Sequence, residues 1–364
     1  MRLLRGKRRW LAAAGLLMVA LAVLGLLGGC AQLAYLQQSA GGHLQLLNAA
    51  RPVPDWLAEQ GLDPALRERL LLTQRLRDFA SQSLHLPENK SYRRYAQLDR
   101  PAAVWNVVAA PELSLAPKNW CFPVMGCVVY RGYFKREAAD AFAAGLRAQG
   151  LEATVYGVPA YSTLGWSNWV GGDPLLSTFI RYPEGELARM IFHELAHQVA
   201  YAADDSVFNE SFATAVELIG ARAWLAEHGA EAARLTDELQ LRRRQAFLAL
   251  AMRYRERLDS LFAGAEADAD KRRAKAQLMS EMRADYAREQ VDAASPLYGY
   301  RAYDGWFERA NNASFAVLAA YHELTPAFEA LYERSGRDWP RFYAEVRRLA
   351  AEPRAQRRQQ INPQ

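Results

Sequence analysis

The sequence predicts an α+β protein, mostly helical, in which a stretch of short strands precedes one buried helix. Three observations predict it. The stretches before residue 101 and after residue 228 repeat their apolar residues at helical spacing. Residues 104–180 change to short runs rich in Val, Tyr, Trp and Thr, as strands do. Between them stands Ile191-Phe192-His193-Glu194-Leu195-Ala196-His197-Gln198, where Leu187, Ile191, Leu195 and Val199 recur every four residues. One face of that helix is therefore apolar, and the two imidazoles, four residues apart, share another.

Residues 1–29 are expected to be a bacterial export signal. A basic start (Arg2, Arg5, Lys7, Arg8, Arg9) leads into the apolar run Leu11 to Leu27 and then Gly28-Gly29. Leu27-Gly28-Gly29-Cys30 resembles a lipobox, so cleavage before Cys30 would leave that cysteine lipidated on its sulfur and its amine. Several acyl chains exceed what stable anchoring requires. Ala31, rather than Asp, follows the cysteine; by the bacterial sorting pattern this implies the cell envelope, at the outer membrane and facing the periplasm. The alternative is an uncleaved span of about twenty apolar residues.

Residues 30–100 read as an N-terminal helical segment. Ala31 to Asn48 is leucine-rich, and Asp63-Pro64 pairs a cap with proline at the first helical position. That helix is expected to run to about Leu84, with Leu66, Leu70 and Phe79 among its apolar positions.

Residues 101–228 read as the core. Strands are expected at Val104–Val108, Cys127–Phe134, Ala153–Tyr156 and Ser162–Val170, with a helix at Arg136–Gln149. With Cys30 lipidated, Cys121 and Cys127 remain, and two such cysteines in an oxidising compartment pair. Closing so short a loop is worth roughly 2 kcal/mol.

Residues 229–352 read as a C-terminal helical region. A polar break around Ala263–Ala269 divides the first part into two long arms of an antiparallel hairpin, and further helices run to about Ala351. Residues 353–364 are expected to be a disordered tail.

His193 and His197 can bind one zinc ion, and Glu194, the next residue along, can reach a water there. A catalytic zinc takes a third protein ligand. After a break at Asp204-Asp205-Ser206, with Ser206 a fair N-cap, a second helix carries Glu210 and Glu217. They lie thirteen and twenty residues beyond His197, on one helix face, and spacing alone does not choose between them.

His-Glu-Leu-Ala-His-Gln followed by Asn209-Glu210-Ser211-Phe212-Ala213 resembles the gluzincin metallopeptidases, the aminopeptidase N group in particular. The whole chain resembles a bacterial lipoprotein family described as predicted aminopeptidases. Tyr161–Trp166, Asp173–Thr178, both helix motifs and Asn311-Asn312-Ala313 carry that likeness. The resemblance implies a zincin-like core, one Zn2+ per chain, Glu210 as third ligand with Glu217 as runner-up, Glu194 as general base, and peptide substrates. It implies that an edge strand, here Ser162–Trp166, lies along the cleft, with Gly165 and Trp166 against the substrate. It further implies a downstream oxyanion donor: Tyr321 first, then Tyr298, Tyr300 or His322. The interval between the motifs is shorter than in aminopeptidase N, and residues 162–170 lack the acid that group uses to hold a free amine. Asp173 is the nearest carboxylate, so exopeptidase and endopeptidase both stay open. A non-catalytic, zinc-stabilised lipoprotein that binds an envelope partner is a further alternative, against which the intact Glu194 argues.

Charge excludes one class. The 364 residues carry 45 basic and 40 acidic side chains, but five of the basic ones precede residue 30, where there is no acid. The remainder is neutral, which gives no reason to expect nucleic-acid binding.

Overall fold

The structure, a computed structural model, describes residues 35, 37–122, 126–160, 171–203 and 205–361. Cys30, Gly165 and Trp166, and the strand expected at 162–170, lie outside the described residues. The chain divides into two compact units, residues 1–48 and 49–364. Residue 35 and residues 37–49 are helical and are labelled α1. Residues 49–364 form one unit, so the boundaries expected after residues 100 and 228 fall inside it. Among the described residues no helix is long and apolar enough to cross a membrane.

The second unit is mostly helical, with small sheets. Strand β1 (Arg51–Pro52) pairs antiparallel with β2 (Arg94–Ala96), which pairs in parallel with β8 (Leu175–Leu176). Between β1 and β2 lie α2 (Val53–Leu57) and α3 (Pro64–Gln82). Asp63 caps α3 by accepting from the Ala65 and Leu66 amides. From α3, the Arg69 guanidinium donates to the Ile180 carbonyl at 2.8 Å and to that of Tyr182, fixing the segment that feeds the histidine helix.

The second sheet runs in the order β6-β3-β7: β3 (Val104–Pro111) is central, with β6 (Arg131–Tyr133) and β7 (Leu151–Val158) antiparallel on either side. Val107, Val108, Ala109 and Ala110 are all fully buried, because α4 (Arg136–Ala148) packs on β3 and α10 (Asn312–His322) also packs on it. A strand covered on both faces loses its polar alternation. The run expected over Cys127–Phe134 splits in two. Strand β4 (Trp120–Phe122) pairs with β5 (Gly126–Val128), and Cys121 and Cys127 are disulfide-bonded across that pair. Only β6 joins the larger sheet.

Helix α5 (Glu184–Ala196) packs antiparallel to α6 (Ser206–His228), tied at the far end by Trp224 Nε1 donating to Glu184 Oε1 at 2.7 Å. Helix α6 is buried on most sides, by Phe208, Phe212, Val216 and Trp224 among others, as a central helix must be. Its Gly220 permits the close approach: a Cβ there would stand 2.6 Å from Leu84 Cδ1 and 3.0 Å from Phe192 Cδ2. The cap expected from Ser206 comes instead from Asp205, whose carboxylate accepts from the Phe208 amide at 3.1 Å.

Helices α7 (Glu231–Ala263) and α8 (Asp268–Val291) form the antiparallel hairpin, registered by Arg253–Asp285 and Arg257–Glu281 pairs at 2.7 Å. Helices α9 (Asp304–Arg309), α11 (Thr325–Arg334) and α12 (Trp339–Ala351) complete the helical part. The tail expected to be disordered is not: Arg354–Ile361 forms α13. Its Arg357 side chain is only 2% exposed and meets the fully buried Asp205 carboxylate at 3.1 Å, while Arg358 meets it at 2.7 Å. A buried carboxylate needs such partners, and they hold the segment in place.

Candidate metal centre and its cavity

Two helices build the site. At the end of α5, His193 and His197 point their Nε2 atoms at each other across 3.2 Å. Glu210, on the second turn of α6, brings Oε2 to 3.3 Å from His193 Nε2 and 3.7 Å from His197 Nε2. These donors form a group that could hold a metal ion, and both histidines are buried. Glu217, two turns along α6, reaches the other side of His193: its Oε2 accepts from Nδ1 at 2.8 Å, and its Oε1 accepts from Arg244 at 3.1 Å. With Nδ1 paired to Glu217, His193 turns its Nε2 toward Glu210 and His197.

Asn209 explains how so short a connection closes. Its side-chain oxygen accepts from the Ala202 amide, and its side-chain nitrogen donates to the Ala202 carbonyl, both at 2.8 Å. That paired contact stands in for backbone pairing and sets the turn that delivers Glu210. On the other flank, Asn89 donates to Gln198 Oε1 at 2.7 Å, and Gln198 donates to Ser91 Oγ at 3.3 Å. The end of α5 is thus pinned from two directions.

The electrostatics fit the convergence. Burial alone would lower the His193 imidazole, but hydrogen bonds to Glu210 and Glu217, with their charges, raise it well above the usual 6.5. His197 goes the other way: burial outweighs the attraction of Glu210, the His193 charge adds to burial, and it falls to about 4. Burial would raise both carboxylates, yet the facing imidazoles, with Arg244 beside Glu217, hold them below the usual carboxylate value. Two buried imidazoles and a half-buried carboxylate whose donor atoms all lie within 4.8 Å of one another need a shared proton or a cation at their centre.

Glu194, half-buried, lines a cavity of about 450 Å³ together with His193 and Glu217. The last residues of β7, from Tyr156 to Val158, form one wall; among the described residues β7 is an edge of its sheet. Tyr300 lines the cavity, whereas Tyr298 is 57% exposed and lies off it. The side chains of Tyr321 and His322, on the last turn of α10, lie outside the described residues. Three tyrosines that spacing had not singled out feel the charge of Glu210. Burial, then the charge of Glu210 among others, raises the Tyr130 and Tyr201 phenols. Tyr156 is pushed up to about 12 by burial, against a hydrogen bond with Asn106. Tyr130 and Tyr156 sit on or beside the central sheet, and only the folded sheet brings them to α6.

The fold brings together two buried histidines and a half-buried glutamate that could hold a metal ion, and a cavity lined by one of those histidines, by Glu194 and by Glu217. The family model described as "Putative aminopeptidase" matches residues 34–361, and the chain belongs to that family. The description points to a peptidase. No curated protein matches the chain, and neither does any solved structure.

Proposed function

We propose that the chain is a zinc-dependent peptidase of the bacterial envelope, with a zincin-like core, acting on peptides as an aminopeptidase or a related peptidase. The observation that carries this is the convergence of His193, His197 and Glu210, with His193 and the adjacent Glu194 both lining the cavity. Donor atoms about 2.1 Å from a tetrahedral zinc lie roughly 3.4 Å apart, and the three separations here are 3.2, 3.3 and 3.7 Å. A zinc ion held by these residues would supply Lewis acidity at neutral pH.

The other steps belong to side chains. Glu194 takes a proton from the attacking water and returns it to the leaving amine. Glu217 keeps His193 in one tautomer. Tyr156, with Asn106 hydrogen-bonded to it and a raised phenol, remains an O–H donor at neutral pH and is our choice for the group that meets the developing oxyanion. The edge of β7 is suited to pair with a peptide backbone. The test uses zinc-loaded protein and a peptide library with free or acetylated N-termini, read by mass spectrometry beside Glu194→Gln. Loss of single N-terminal residues from free peptides makes it an aminopeptidase, and internal cuts in acetylated peptides make it an endopeptidase. Absence of any Glu194-dependent cleavage refutes the peptidase reading.

A further inference from the structure

The cavity has a far end. Glu186 lies seven residues before His193 on α5, about 10 Å along the helix axis at 1.5 Å per residue. Its half-buried carboxylate lines the cavity and makes no hydrogen bond or ion pair among the described residues. The two guanidiniums nearby are already matched: Arg189 to Asp237 at 2.5 Å, and Arg244 to Glu217 at 3.1 Å. Tyr182 and Tyr303 also line this space, and both phenols respond to the Glu186 charge. Aromatic faces beside an unmatched carboxylate make a receptor for a cation.

Distance decides which cation. The α-ammonium of the residue whose carbonyl is attacked lies about 2.5 Å from that carbon, far short of Glu186. A lysine or arginine side chain extends its charge about 6 Å from Cα, which, with a hydrogen bond, spans the gap. We propose that the cavity is a pocket for a lysine or arginine side chain next to the cleaved bond, with Glu186 receiving the cation. This rests on the peptidase reading of the same site. Burial raises the Glu186 carboxyl, and the charge of Asp237 adds to that against the pull of Arg189 and Arg244, so holding it ionised without a direct partner is costly.

The test uses the full-length zinc-loaded protein and one peptide scaffold carrying Lys, Arg, norleucine or citrulline at the residue beside the cleaved bond, each with a free or acetylated N-terminus. The expected kcat/KM for Lys and Arg exceeds that for norleucine and citrulline by about tenfold or more, as one charge-assisted contact predicts. In Glu186→Gln that ratio falls toward one, and Glu186→Asp restores part of it. An unchanged ratio in Glu186→Gln overturns the proposal. So does a preference that follows the free N-terminus rather than the side chain. Calorimetric titration of N-acetyl-lysine amide and N-acetyl-norleucine amide separates this from catalysis. Tighter lysine binding that disappears in Glu186→Gln supports the pocket even if no peptide is cleaved, in which case the peptidase reading alone fails. Equal binding of the two amides overturns the pocket.

Discussion

Replacing Glu217 by glutamine separates the two carboxylates that face His193. Glu217 accepts two hydrogen bonds, from His193 Nδ1 at 2.8 Å and from Arg244 at 3.1 Å. An amide has one oxygen and one NH2 group, so it can accept from only one of those donors. If the oxygen serves Arg244, the NH2 meets Nδ1–H donor to donor. His193 must then change tautomer, which puts a proton on the Nε2 that faces Glu210. If the oxygen serves His193, a charge-assisted bond becomes a neutral one, about half as strong. Either route weakens zinc binding by about 10- to 100-fold, or roughly 1.4–2.8 kcal/mol. Glu210→Gln removes an inner donor and its charge, and a loss of about a thousandfold or more is expected. Competition against a chromophoric zinc chelator measures both. Stoichiometric zinc retained in Glu210→Gln, with binding abolished in Glu217→Gln, would refute the division of roles.

Glu194→Gln should keep zinc at full occupancy and lower turnover by about 10²- to 10⁴-fold; metal analysis and rate assays check this. Asp205→Ala removes the α6 cap and strands a buried arginine, so chemical denaturation should show a loss of about 3–5 kcal/mol. Burial would raise the Asp205 carboxyl, but Arg358, Arg354 and the Phe208 amide hold it below 3.8. Its stabilisation is therefore complete above pH 3.8 and lost as pH falls through the lower folded value, a step that acid titration should find absent in Asp205→Ala. Gly220→Ala sets an overpacking cost of about 1–3 kcal/mol against roughly 1 kcal/mol of helix propensity. A net destabilisation of about 1 kcal/mol is expected, with weaker zinc binding because Phe192 adjoins His193, and a more stable variant would contradict it.

The parts readable in the sequence are those that local chemistry specifies. Asp63-Pro64 starts a helix because a carboxylate caps and proline fixes φ, whatever lies around them. The i, i+4 histidines share a face because helices turn every 3.6 residues. The choice between Glu210 and Glu217 is not local. Seven residues put both on one face, and only the crossing of α5 over α6 sends one to Nε2 and the other to Nδ1. Glu186 was equally hidden, since a glutamate in a first helical turn reads as dipole complement until the cavity beside it is seen. The mistaken tail has the same origin. Residues 354–361 are too polar to bury an apolar face, so composition argues for disorder, and the partner that orders them, Asp205, stands 152 positions upstream of Arg357.

That separation bears on the order of events during synthesis. The turn between the two site helices carries a carboxylate that folding must bury, and its counter-charges belong to a helix translated some 150 residues later. While the ribosome is still adding that stretch, both histidines and Glu210 already exist as sequence, but the turn that presents Glu210 carries an unneutralised acid. The site therefore forms late, once residues 354–358 have been made and have docked. A chain carried unfolded across a membrane would reach the far side before His193, His197 and Glu210 could converge.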